Sequence, residues 1–187
     1  DADGERMTPT HSLKKGKRYR YYVSAALISA GRDKAGKGQR LPAAAIEAIV
    51  GRRIGDWLAD LPGVMEALRT GGPDQSARNQ KDIAAAVARL ASRWDELPAQ
   101  DLRQFLRTVC TRIEVRHDQV EIGLSGEALA RQLGVPIMAK DGIAPGEAAP
   151  ITLVVPVRLR RAGLEMRLIV EDGTEPARID HGIIRVL

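Results

Sequence analysis

The spacing of apolar residues changes from helical to alternating after Arg112, and that change constrains the fold more than any other feature. Between residues 41 and 111, apolar side chains recur at helical intervals, as at Leu102, Phe105, Leu106 and Val109. After Arg112 they alternate with polar residues, as at Val120, Ile122 and Leu124. Helices followed by hairpins are typical of the α+β class. We therefore predict a basic β-hairpin ribbon, a helical block, and then antiparallel β-hairpins with a short helix.

Turns, prolines and a Gly- and Lys-rich stretch divide the chain into four segments. The predicted segments are a β-ribbon with a linker at 1–40, a helical block at 41–111, an antiparallel β-rich subdomain at 112–172, and the start of a truncated helical region at 173–187. Leu-Pro pairs at Leu41, Leu61 and Leu97 predict helix starts, because proline fits the first turn. The apolar helix faces are predicted to pack internally, with an exposed stripe for self-association as the alternative.

Local signals organise the β-rich subdomain. A His117-Asp118 turn predicts one hairpin, and strands at 151–160 and 164–170 predict another. Ser125 predicts the N-cap of a short helix. Pro156 lies inside a predicted strand and indicates a sheet edge, where its missing N–H costs least.

Positive charge is concentrated at the start of the chain. Residues 1–40 hold ten Lys and Arg against four Asp and Glu, or +6, whereas residues 41–187 hold 19 basic against 20 acidic side chains, or −1. Clustered cations favour phosphate binding through counterion release. The pattern predicts a nucleic-acid contact in residues 1–40. A merely solvated basic surface is the alternative, because short basic runs are weak motifs.

All three tyrosines lie beside this basic run, around a turn at Lys14-Lys15-Gly16-Lys17. In an extended strand, Arg18, Arg20 and Tyr22 share one face, while Tyr19, Tyr21 and Val23 share the other. Tyr19 and Tyr21 are predicted as core residues in preference to base-stacking ones. The predicted nucleic-acid-binding residues are His11, Lys14, Lys15, Lys17, Arg18, Arg20 and Tyr22.

The sequence lacks the residue patterns that disulfides, metal sites, nucleotide-binding loops and catalytic sites require. Cys110 is the one cysteine, so neither an internal disulfide nor a cysteine zinc cage is expected, and the thiol is predicted to lie in the core of a helical face. The three histidines stand far apart, and neither a Walker loop nor Gly-x-Gly-x-x-Gly occurs, so no metal, cofactor or catalytic residue is predicted. Without a membrane span or signal pattern, we expect a cytoplasmic location.

Three parts of the first segment resemble a known family: Gly4-x-x-Met7-Thr8, the basic turn, and Arg18 to Ser24. They are similar to the recombinase zinc-ribbon region of the large serine recombinases. The stretches that begin at Leu41, Arg112 and Val155 also resemble the region after the ribbon in bacterial and phage members. Where zinc-binding members carry cysteines, this sequence has Asp3 and Ser24, which implies a zinc-free ribbon held by packing and hydrogen bonds.

The resemblance implies a function for the parent protein. In that family a serine of an N-terminal catalytic domain attacks DNA phosphodiesters and forms a phosphoserine link, and that domain lies outside this chain. We therefore expect no catalytic activity here, and expect a fragment that binds double-stranded DNA in a bacterial cytoplasm, associated with the nucleoid. The start without Met and the apolar end at 183–187 also predict a fragment.

Three questions stay open at this point. A helical oligomerisation module with a solvated basic ribbon is the rival function. Single-stranded RNA is a third option, because basic and aromatic strands also suit it. The parent's role as an integrase, an invertase or a transposon recombinase is left open as well.

Overall fold

The computed structural model describes residue 4 and residues 6–29, 39–70, 77–135, 150–162 and 165–170. These residues form helices and antiparallel strands, so the predicted α+β class is confirmed. The region predicted at 173–187 and most of the predicted linker at 31–40 lie outside the described residues. The chain divides into two compact units, and each draws on three separate stretches of sequence.

Strands and helices are interspersed along the described part of the chain. They are β1 (Met7–Lys14), β2 (Lys17–Ser24), α1 (Ala25–Ser29), β3 (Arg40–Pro42), α2 (Ala43–Ala59), α3 (Leu61–Thr70), α4 (Ala77–Ser92), a 3-10 turn (Trp94–Glu96), α5 (Ala99–Val109), β4 (Cys110–Val115), β5 (Gln119–Leu124), α6 (Gly126–Gln132), β6 (Ile151–Ala162) and β7 (Glu165–Val170). No described helix is both long and apolar enough to cross a membrane.

The strands form two sheets. The first has the order β1-β2-β3, in which β1 and β2 are antiparallel and pair from Met7 opposite Ser24 to Lys14 opposite Lys17. The second has the order β4-β5-β6-β7, and its last two strands form an antiparallel hairpin. The hairpin predicted around residues 15–16 is therefore present, and so is the one predicted from strands at 151–160 and 164–170, although Arg161 and Ala162 belong to β6 rather than to the turn.

The first unit comprises Asp1–Val50, Glu114–Glu121 and Val154–Glu175. Strand β3 pairs with β2, and it also contacts β7. Arg40 and Leu41 were predicted in a linker and at a helix start, but both belong to β3, and α2 begins only at Ala43. The residue before a proline disfavours helical backbone, which keeps Leu41 extended ahead of Pro42. Leu41 is completely buried.

The second unit comprises Gly51–Ile113, Ile122–Leu153 and Pro176–Leu187. In it α3 packs on α4, and both α5 and α3 contact α6. Trp57, Trp94 and Phe105 are buried, and the burial of Phe105 agrees with its helical spacing in the sequence. Cys110 is only half-buried and begins β4, so its predicted helical position is wrong. The chain turns from helix to strand there, although neither Gly nor Pro marks the change.

Two further predictions concern single residues of the β-rich part. The Ser125 side chain accepts a hydrogen bond from the Ala128 N–H at 3.1 Å, so the predicted cap of α6 is confirmed. The edge position predicted from Pro156 is wrong, because β6 lies between β5 and β7. Among the described residues, the pairing of β6 with β7 begins one residue later, at Val157, so no described residue of β7 lies opposite Pro156 and requires its missing N–H.

Candidate nucleic-acid interface

The tip of the β1–β2 hairpin is a tight turn that gathers three lysines. Lys14 and Lys17 pair directly, and the two residues between them have positive φ values, 51° for Lys15 and 74° for Gly16. Two successive residues with positive φ define the type I′ turn, whose twist matches that of the flanking strands. Left-handed backbone costs a residue such as lysine about 1–2 kcal/mol. Lysine thus occupies a position for which Asn or Gly is the better turn residue.

Strand pairing sorts the predicted residues onto two faces, because directly opposed residues of antiparallel strands share a face. Arg18 and Arg20 lie on one face, where Arg18 is opposite Leu13 and Arg20 is opposite His11. Tyr22, two residues after Arg20, lies on the same face. We call this the arginine face (His11, Leu13, Arg18, Arg20 and Tyr22). The other is the lysine face (Ser12, Lys14, Lys17, Tyr19 and Tyr21). The predicted residues therefore share one hairpin but are divided between its two sides.

Arg20 differs from the other cations of the hairpin because a carboxylate neutralises it. Its Nη2 lies 2.7 Å from Oε2 of Glu47 on α2, although 46% of the Arg20 side chain is exposed. The hydrogen bond that Arg20 donates to the Glu47 carboxylate, and then the charge of that carboxylate, raise the pKa of Arg20. The pair ties strand β2 to helix α2.

The tip cations have no such partner. Lys14, Lys15, Lys17 and Arg18 are all exposed, and none forms an ion pair with another described residue. His11 is exposed as well. The tip is consequently a cluster of cations whose charge nothing in the described part of the chain balances.

The three tyrosines have three different environments. Tyr21 is 8% exposed, and the Arg40 guanidinium carbon lies 3.9 Å from its ring centroid, so the prediction of a core residue is confirmed. Tyr22 is half-buried. Tyr19 is 38% exposed, with the Lys17 Nζ 5.8 Å from its ring centroid, so its predicted core position is wrong. Tyr19 is the aromatic residue that the predicted binding set missed.

The base of the ribbon is closed by hydrogen bonds at Ser24. This serine is fully buried; its N–H donates to the Gln39 carbonyl at 3.0 Å, and its hydroxyl accepts from the Gln39 N–H at 2.9 Å. Ser24 stands at one of the two positions at which the resemblance puts zinc-binding cysteines. The other position, Asp3, lies outside the described residues. Within the described ranges, no group of three His, Cys, Asp or Glu residues is placed to hold a metal ion.

Comparisons with known proteins identify no relative of this chain. The chain matches no protein-family model, no curated protein and no solved structure. The resemblance to serine recombinases therefore rests on sequence motifs alone.

Proposed function

We propose that this chain binds double-stranded DNA through the β1–β2 hairpin, as the DNA-binding part of a site-specific serine recombinase whose catalytic domain lies outside these residues. The observation that supports DNA binding is the cation cluster at the tip. Lys14, Lys15, Lys17 and Arg18 are exposed and make no ion pair with another described residue. Such cations retain their full attraction for phosphates and release condensed counterions on binding.

The shape of the hairpin suits a duplex. The major groove of B-DNA, about 12 Å wide, admits a two-stranded β-ribbon. Cations on both faces of the tip would then meet the phosphates that line the two walls of the groove. Arg18 on the arginine face has the fork geometry that pairs with guanine edges, and Tyr19 on the lysine face offers a ring for apolar contact.

Arg20 has a different role in this proposal. Its guanidinium is held by Glu47, so a phosphate must displace that carboxylate before it can use Arg20. We infer that Arg20 is mainly a positioning residue, which fixes the ribbon on α2. The tip lysines should therefore contribute more to DNA affinity than Arg20 does.

The rival function, self-association of the helices, finds little support. In the described parts of residues 43–109, no large apolar side chain is exposed. The apolar stripes seen in the sequence are used for internal packing, for example by Ile83, Val87 and Phe105. A dimer built on these helices would need a surface other than those stripes.

The proposal is tested by fluorescence anisotropy of residues 1–187 with a random-sequence duplex over a series of salt concentrations. The test variant combines Lys14→Gln, Lys15→Asn and Lys17→Gln; the Asn suits the left-handed turn position, so charge is lost without weakening the turn. Each lost phosphate contact should reduce the slope of log K against log salt by about 0.9, or about 2.7 for three.

A charge-matched control removes three exposed cations from the helical block, with Lys81→Gln, Arg89→Gln and Arg103→Gln. We expect this control to keep the parent slope. Equal slopes for the parent and the tip variant would refute the proposal. Stronger competition by single-stranded RNA than by duplex DNA would reassign the ligand to RNA.

The role of Arg20 is tested by Glu47→Gln, which removes the carboxylate that neutralises it. If Arg20 can reach phosphate, this variant should bind the duplex more tightly, with a slope steeper by about 0.9. An unchanged slope would show that Arg20 does not contact phosphate and serves only to hold the ribbon on α2.

A further inference from the structure

The β6–β7 hairpin carries a second group of arginines that the sequence did not bring together. Arg160 lies directly opposite Arg167, and Arg158 lies opposite Ile169. Because opposed residues share a face and alternate residues of a strand share one too, all three arginines lie on the same side. We call it the second basic face (Arg158, Arg160 and Arg167). All three side chains are exposed.

The reverse side of the hairpin is packed. Val155 and Val157 are buried, and Leu159, Leu168 and Val170 are half-buried. A strand pair that packs one face presents its alternate residues to solvent. The outward position of the arginines therefore follows from the core beneath them.

The pairing of Arg160 with Arg167 opposes folding rather than favouring it. Side chains directly opposite one another on antiparallel strands have Cβ atoms about 4.5–5.5 Å apart, and like charges there are destabilising. Neither residue forms an ion pair with another described residue. An anion bound between two guanidinium groups would turn the repulsion into a binding site.

We propose that the second basic face is a further phosphate-contact surface for double-stranded DNA, separate from the hairpin tip. This inference rests on the proposed function. Guanidinium forks match phosphate oxygens with paired hydrogen bonds, and duplex DNA presents about one negative charge per 1.7 Å of its axis. Both hairpins belong to the first unit, in which β3 contacts β7, so the two basic surfaces are parts of one compact body.

The test uses residues 1–187 carrying Arg160→Gln and Arg167→Gln, measured with the same duplex and salt series. Loss of two phosphate contacts should reduce the slope by about 1.8. The melting temperature should stay the same or rise, because the repulsion between the two side chains is gone. The control is Arg103→Gln with Arg107→Gln, which removes the same charge from the exposed side of α5 and should leave the slope unchanged.

A charge reversal separates electrostatics from misfolding. Arg167→Glu puts a carboxylate opposite Arg160, so it should raise the melting temperature while weakening DNA binding more than Arg167→Gln does. The proposal for the second basic face alone would be overturned if the Arg160→Gln, Arg167→Gln variant kept the parent's slope while the tip variant had a smaller one. If the parent itself shows no salt-dependent DNA binding, both this inference and the proposed function fall.

Discussion

Gly55 on α2 provides the sharpest test of the packing, because replacing it by alanine should destabilise a helix that alanine ordinarily favours. A Cβ at Gly55 would lie 2.5 Å from Nε1 of Trp94 and closer still to Cδ1 of the same ring. The indole rests directly against the helix backbone, where its N–H donates to the Gly51 carbonyl at 2.9 Å. The same ring meets Phe105 edge-on, with the centroids 5.2 Å apart.

The expected magnitude combines opposing effects. Alanine is about 0.8–1.0 kcal/mol more favourable than glycine inside a helix. Forcing an extra carbon into a packed site costs about 1–3 kcal/mol, and shifting the indole puts at risk a hydrogen bond worth about 0.5–1.5 kcal/mol. Gly55→Ala should therefore lower the free energy of unfolding by about 0.5–3.5 kcal/mol.

The matched control is Gly51→Ala, one helical turn earlier on the same helix. A Cβ there would meet the Leu102 Cδ2 at 3.8 Å, an ordinary van der Waals contact. This variant should gain about 0.5–1 kcal/mol of stability. The two substitutions are chemically identical, so any difference between them comes from Trp94.

Urea unfolding followed by circular dichroism at 25 °C measures both variants. Trp94→Leu should relieve much of the cost of Gly55→Ala, because the planar ring no longer lies against the helix. Equal stabilisation by Gly51→Ala and Gly55→Ala would refute the described packing of Trp94.

Substitutions at three further residues each test one feature of the structure. Ser24→Ala leaves the buried Gln39 N–H without its acceptor and should cost about 1–3 kcal/mol in urea unfolding, so an unchanged midpoint would contradict the closure of the ribbon base. Ser125→Ala should cost about 0.5–2 kcal/mol through loss of the α6 cap, whereas Ser125→Asp should retain the cap; equal losses would argue against capping. Burial raises the pKa of Cys110 from 9.0 to about 11, so a thiol reagent should modify the folded protein far more slowly than the urea-unfolded chain at neutral pH. Because the unfolded thiol ionises first, stability should fall between about pH 9 and pH 11, and Cys110→Ala should remove that part of the fall.

The elements that could be predicted from the sequence are those set by local chemistry. The Lys15-Gly16 turn, the amphipathic helix α5 and the Ser125 cap each depend on residues within a few positions of one another. Strand β3 was missed because three residues are too few for a periodic pattern, and their partner strand lies elsewhere in the chain. The inner position of β6, with its Pro156, likewise depends on which strands become neighbours.

The candidate site was predictable to the same extent. The alternation of side chains along a strand predicted Arg18, Arg20 and Tyr22 on one face, and the pairing register of β1 and β2 agrees. Nothing in the local pattern indicated that Glu47 would neutralise Arg20, because the two residues are 27 positions apart in the sequence and meet only in the folded chain. Tyr19 stays exposed because the hairpin extends beyond the core that covers Tyr21.

The discontinuity of the first unit has a consequence for synthesis of the protein. The basic ribbon precedes the rest of the first unit in the chain, because β3 ends at Pro42 whereas β6 and β7 begin only at Ile151 and Glu165. At an elongation rate of about 5–20 residues per second, the nascent ribbon waits roughly 5–20 seconds for these strands. A short isolated hairpin is marginally stable in water. The first unit, which carries the surface proposed to bind DNA, is therefore complete only after β7 has been synthesised, and a ribosome that stalls before Ile151 leaves it incomplete.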